Sequence, residues 1–413
     1  MKTVHFWILL GLWGLTLLTA GCTVHETVRQ VAEPAVDVRV SVFPKGVPPL
    51  AKHEPATGCL LGAYIDLDPS LKQRYRDSTG RNRNLPDEWE SIIGRRHSMY
   101  FFYLGYGRPA PVDWIRKLAE EDRFVHIALE PNDGLDQVRD DAYLRGLARD
   151  LFRSGARIFV RFGSEVNGPW VKYHGNPIQF KDKFRLITNV FREEAPNVAM
   201  IYCPYTTPIR PILDYYPGDE WVDWVGVNMY NVTYFDQDPR KPARHILPTD
   251  KLDYVYKTFA TRKPIFIAEY ATTHFSALEN KPDPAFAIRN IRQLYSSLQK
   301  KYPRVKAITY FNSNNLLVKH RKNNNYTLQD EPSVLQEYLK QTASPHWILK
   351  ASQVPFIEGE HFVPAGESMG PIAGPATVQV RSMEGKILAT LDHPDTSRKY
   401  LTFDSGEWIL APR

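Results

Sequence analysis

The feature that most constrains the fold is a train of eight short apolar runs, each rich in β-branched and aromatic residues and each followed by a helical stretch or a loop. They are CLLGAYI at 59–65, SMYFFYLG at 98–105, FVHIALEP at 124–131, ARIFVRFGSE at 156–165, VAMIYCPY at 198–205, VDWVGVNMY at 222–230, PIFIAEY at 264–270 and VKAITYFN at 305–312. Their hydrophobicity is continuous rather than alternating, as in strands buried on both faces of a parallel sheet. Between them, Leu144, Leu147, Leu151 and Phe152 form one stripe after the cap candidates Asp140 and Asp141, and Gly155 ends that helix. Ile288, Ile291, Leu294, Tyr295 and Leu298 repeat the pattern before the last run. Eight such units predict an α/β chain closed into a (β/α)8 TIM barrel. The rival, a doubly wound open sheet, more naturally carries a Gly-rich phosphate loop after its first strand, and GAYIDLDPS contains none.

The barrel is expected over 55–345, and 413 residues leave room for one barrel and an accessory piece, not for two barrels. After Pro345 the pattern changes to short alternating strands: TVQVRS, a Glu384-Gly385 turn and KILATL read as one hairpin, and KYLTFDSGEWIL as another. A small all-β C-terminal appendage is therefore expected over 346–413. At the other end Lys2 precedes an apolar stretch from Val4 to Ala20, closed by Leu-Thr-Ala-Gly-Cys at 18–22. This resembles a bacterial lipoprotein signal spanning 1–21, with Cys22 acylated after cleavage and the protein anchored by lipid, in the outer membrane or periplasm. Residues 22–54, polar with Val and Pro, read as a tether.

Removing the leader with its single charge, Lys2, lowers the formal charge from +6 to +5, and the basic residues are scattered, so nucleic acid is not an expected partner. Cys59 and Cys203 fall on strands far apart, which argues against a disulfide or a metal site. No metal-spaced cluster, phosphate loop or nucleophile elbow is present, and neither a metal nor a cofactor is expected. A monomer is the expected state.

Active sites of such barrels lie at the C-terminal strand ends, so the runs that end in carboxylates matter most. The fourth ends in RFGSEVNGPW, with Glu165 at its terminus, and the seventh in FIAEY, with Glu269 at the same height. Hydrolysis of a glycosidic bond needs one carboxyl group to protonate the leaving oxygen and another to attack or to activate water, and facing strands can supply that pair. Either Glu alone could be a structural ion pair with Arg161. Glu130, ending the third run, is a third acid at this level, either a substrate contact or a cap on the following loop. Tyr64, Trp170 and Tyr230 are among the rings near these ends that could stack on sugar faces.

The stretch from Gly62 to Asn312 resembles glycoside hydrolase family 26, through Arg161, Glu165, Asn167, Gly168 and Trp170, through the run ending in Tyr230, and through Glu269. The resemblance implies a retaining endo-β-glycosidase of β-mannanase type acting on a polysaccharide, with Glu165 as acid/base and Glu269 as nucleophile. It implies that Tyr230 hydrogen-bonds the nucleophile; together with Glu130 and Tyr64, placed by their strand ends, Arg161, Asn167, Trp170 and Tyr230 are the expected substrate-binding residues. Two positions depart from the family pattern. Ser164 stands where His usually precedes the acid/base Glu, and Tyr310 and Phe311 stand where a Trp usually floors the sugar. Two other readings remain open: a non-catalytic polysaccharide-binding lipoprotein of an exopolysaccharide system, and a hydrolase of the cell's own exopolysaccharide.

Overall fold

A computed structural model describes residues 36–45, 50–319, 321–356, 359–383 and 385–412. The signal segment, Cys22 and the first part of the tether lie outside the described residues. All eight apolar runs form strands: β1 (Cys59–Tyr64), β2 (Met99–Gly105), β3 (Phe124–Glu130), β4 (Ile158–Phe162), β5 (Val198–Tyr202), β6 (Trp224–Asn231), β7 (Ile265–Thr272) and β8 (Val305–Phe311). Each pairs in parallel with the next. β8 returns to β1, from Ala307 beside Leu60 to Phe311 beside Tyr64, which closes the (β/α)8 barrel.

A helix follows every strand, and six of the eight begin with proline: Pro86, Pro177, Pro211, Pro248, Pro284 and Pro332. The first turn of a helix has no intrahelical partner for its N–H groups, so proline loses nothing there and its fixed φ starts the turn. Asp141 caps the third helix, Ala142–Arg153, by accepting from the Leu144 N–H at 3.0 Å.

Two expected boundaries move. The proposed tether ends earlier than residue 54, because Val38–Pro44 is a strand lying between Gly359–Val363 and Ala376–Ser382 in the C-terminal sheet. Val38, Val40 and Val42 point into the core of that β unit, so they are structural rather than a spacer. Residues 51–54 cover the bottom of the barrel, where the Lys52 carbonyl accepts from the Trp224 indole at 2.7 Å and Glu54 pairs with Arg304 at 2.5 Å. The barrel also extends past residue 345. Trp347–Ile348 adds to β1, and Ile348, Ala351 and Val354 plug the bottom cluster with Phe124, Phe159 and Phe266. Beyond them both expected hairpins form, Ala376–Ser382 with Ile387–His393 and Arg398–Asp404 with Glu407–Ala411. The bottom of the barrel is thus sealed by chain from both ends, and its open end is the top.

Candidate active site

β4 stops at Phe162, and the chain then turns sharply through two left-handed residues, Gly163 at φ 59° and Glu165 at φ 61°. A side chain at Gly163 would meet the Phe180 ring at 2.8 Å, so only glycine fits there. A non-glycine residue in this region is strained, and here the Glu165 N–H is held by the Cys203 carbonyl at 2.8 Å, at the end of β5. The turn lifts the Glu165 carboxyl clear of the strand. Its Oε1 accepts from the Asn228 amide at 2.9 Å and its Oε2 from the Trp170 indole at 2.7 Å. Gly168 permits the second contact, because a Cβ there would sit 2.2 Å from the Trp170 ring.

Glu269 arrives differently, within β7, where the pairing with β6 slips between Ile267 and Glu269. It is buried, and its Oε1 accepts from the Tyr103 hydroxyl at 2.6 Å and from Arg161, while Oε2 accepts from the Tyr230 hydroxyl. Arg161 is fully buried, with its guanidinium over the Phe101 ring, and its other branch donates to Asn228 Oδ1 at 2.7 Å. Burial opposes its charge, but the surrounding groups, Glu269 foremost, outweigh that and keep it protonated. Asn228 therefore bridges Arg161 to Glu165, accepting from one and donating to the other.

The two carboxyl groups are set apart electrostatically. Burial first, and the Glu269 charge second, push the Glu165 pKa up to about 7, against the pull of its Asn228 and Trp170 donors. Glu130 is raised as well, chiefly by burial. Its Oε1 accepts from Ser164 Oγ at 2.7 Å, and its Oε2 meets the Tyr173 hydroxyl, which also lies 2.7 Å from the Ser164 carbonyl. The Tyr173 hydroxyl thus sits between the Glu130 carboxyl, to which it donates, and the Ser164 carbonyl.

These residues line a cavity of about 650 Å³ floored by Phe311 and Tyr326, with Glu130, Glu165, Tyr230 and Glu269 on its walls. A second cavity of about 700 Å³ adjoins it, lined by Glu165, Trp170, Tyr205 and Tyr230 but not by Glu269. Of the residues singled out in the sequence, Glu165, Glu269, Glu130, Trp170 and Tyr230 meet here. Three do not face the cleft. Tyr64 is buried between Phe101 and Phe311, with ring centroids 4.6 Å from each. Arg161 lies under the site as the ion-pair partner of Glu269. Asn167 is buried and its amide is consumed by the loop after β5, donating to the Tyr205 and Pro208 carbonyls and accepting from the Tyr205 N–H, all at 2.9 Å. Tyr103, Asn228 and Ser164 are carboxylate partners that no sequence motif marks as such. The only signal for the first two was their place in β2 and β6.

Residues 134–240 match the model for Glycosyl hydrolase family 26, a span that includes Glu165, Asn228 and Tyr230. Over that span the chain resembles glycoside hydrolase family 26. Among curated proteins it is similar to Endoglucanase H of Acetivibrio thermocellus, 22% identical over 302 residues, which cover 68% of this chain and 30% of that one. A Vibrio β-1,3-xylanase is 33% identical over 97 residues, 22% of this chain and 20% of the xylanase. The chain thus spans less than a third of the curated relatives it matches. Among solved structures the fold is shared with a modular endo-β-1,4-mannanase from Cellulomonas fimi, at TM-score 0.51 and 13% identity over 88% of this chain and 94% of that one. A family 26 β-mannanase from Bacteroides ovatus superposes at TM-score 0.50 and 15% identity over 71% of this chain and 91% of that one.

Proposed function

We propose that the protein is an endo-acting glycosidase that cleaves a β-linked polysaccharide with retention of configuration. The observation that carries this is the pair itself: two carboxyl groups opening on one cavity, one able to hold a proton near neutral pH and the other ringed by the donors Tyr103, Tyr230 and Arg161. Glu269 Oε1 carries two donors and Oε2 one, so Oε2 keeps lone-pair density free for the anomeric carbon. In the first step Glu165 gives its proton to the leaving oxygen as Oε2 bonds to the sugar. In the second, Glu165 takes a proton from water, which attacks the anomeric carbon and frees Glu269.

The cavity touching both carboxylates suits the sugar under attack, and the one touching Glu165 alone suits the leaving group. Space on both sides of the cleavage point fits an enzyme cutting within a chain. The names of the relatives span glucan, xylan and mannan, so the shared element is the β-linkage, and a β-mannan is one substrate within the proposal. Proton NMR of the first product tests the mechanism. The β-anomer is expected to appear first and the α-anomer only by later mutarotation, and the opposite order would overturn retention.

We also propose a lipid anchor at Cys22, supported by the leader pattern and the following Cys. Growth with an alkyne-tagged fatty acid should label the wild-type chain and not Cys22→Ala. Equal labelling would sink the anchor.

A further inference from the structure

The second cavity contains a cation that has no carboxylate partner among the described residues. Lys251 sits in the first turn of the helix Pro248–Phe259, with its ammonium 4.7 Å above the Phe235 ring, and lines the leaving-group side of the cleft. The first turn of a helix carries the positive end of the macrodipole, so a lysine there is electrostatically disfavoured. The acids nearby do not offset it. Asp236 is paired with Lys241 at 2.7 Å, and Asp250 is turned back to accept from the Leu247 N–H at 3.1 Å, capping the same helix. Among the described residues no carboxylate oxygen lies within 4.0 Å of the Lys251 ammonium. Burial alone draws its pKa down to about 8, with no neighbouring charge contributing. A half-buried, uncompensated ammonium facing a cavity is costly for the fold and suited to an incoming anion.

A second cation borders the cleft. Arg321, on the loop after β8, lines the first cavity beside Asn315 and Asn323 and has no ion pair among the described residues. At the cleavage point itself the wall is acidic, with Glu130, Glu165 and Glu269. An anionic sugar at that point would be repelled, whereas one beside it would meet a cation.

Resting on the glycosidase reading above, we infer that the substrate is an acidic polysaccharide, cut at a neutral residue, with the carboxylate of a neighbouring uronate on the leaving side bound by Lys251. The ammonium donates a charge-assisted hydrogen bond to that carboxylate, while Trp170 and Tyr205 offer ring faces to the same sugar.

The test uses the full chain with β-1,4-mannan and β-1,4-glucan, beside the same polymers partially oxidised at C6 to uronates. The oxidised polymers are expected to give the higher kcat/KM, with a preference that shrinks as salt is raised. Lys251→Ala should lower the acidic-to-neutral ratio by roughly tenfold to a hundredfold, mostly through KM, and Lys251→Arg should restore most of it. Preference for the neutral polymers, or a ratio that Lys251→Ala leaves unchanged, overturns the inference. If no polymer is cut, the glycosidase reading fails by itself, and electrophoresis of Glu269→Gln through gels containing each polymer decides the charge question. Retardation in the acidic gels that is lost with Lys251→Ala, but kept with Lys300→Ala on a distant exposed helix end, supports acidic recognition. Equal migration of the two overturns it.

Discussion

Replacing Glu269 by Gln is expected to lower kcat/KM on any accepted polysaccharide by roughly 10⁴–10⁶-fold, the scale seen when a covalent nucleophile is removed. The amide is close in shape, so one of Tyr103 and Tyr230 keeps an oxygen acceptor while the other phenol oxygen can accept from the amide NH2, and the barrel should remain folded. What disappears is the negative charge facing Arg161, and with it the group that bonds to the anomeric carbon. Arg161 is then a buried cation without its main partner, and a stability loss of about 3 kcal/mol or more accompanies the kinetic one. Steady-state rates of reducing-end release, with calorimetric melting of the same samples, check both parts. Residual activity within tenfold of wild type would remove Glu269 from the nucleophile role.

Glu165→Gln is the second large effect, and pH makes it distinctive. The proposed first step requires Glu165 protonated, and its pKa stands at about 7, so kcat/KM for the wild type should fall about tenfold per pH unit above that value. In Glu165→Gln that alkaline limb vanishes and the rate on a natural polysaccharide drops by roughly 10²–10⁴-fold. An aryl glycoside with a good leaving group needs no acid to depart, so its first step should be nearly spared. Equal losses on both substrates, or an unchanged alkaline limb, would place the acid elsewhere.

The same shift sets a stability trend of opposite sign to the usual carboxylate. A carboxyl raised from 4.5 to about 7 on folding carries no penalty below 4.5, where it is protonated in both states. The penalty grows as pH rises from 4.5 to about 7 and is complete above, on the order of 1–3 kcal/mol for a group that keeps some solvent contact. Glu165→Gln should therefore melt higher than wild type at pH 8 and the same at pH 4. Such a gain in the variant is what a site holding two acids together predicts, because function rather than stability accounts for the pair.

Ser164 sharpens the meaning of the departure noted in the sequence. The position before Glu165 carries a small hydroxyl that closes a network with Glu130 and Tyr173, rather than an imidazole reaching toward the substrate. The wall of the cleavage cavity is correspondingly lined by a buried carboxyl whose pKa is raised chiefly by burial. At the eighth strand Phe311 supplies the aromatic floor, while Tyr310 turns into the core and donates to the Tyr326 carbonyl at 2.9 Å.

By itself the sequence determined the eight strands, their order, the helices between them and the placing of Glu165 and Glu269 at one end, because those follow from local hydrophobic runs and from where each run stops. Even there the turn that presents Glu165, through left-handed Gly163 and Glu165, was visible only as Gly-Ser-Glu. Only the tertiary structure decided that Val38–Pro44 is a core strand of the C-terminal unit, although Val38, Val40 and Val42 alternate plainly. The partners that bury them lie more than 300 residues away, as Arg39 and Glu360 do with a separation of 321, and nothing local announces them. It also decided that Asn167 and Tyr64 serve the scaffold, while Arg161, Asn228 and Tyr103 serve the carboxylates. Which face of a barrel strand a side chain takes, and which neighbour it then meets, depends on the stagger between strands once the barrel has closed, and that is set by all eight strands together.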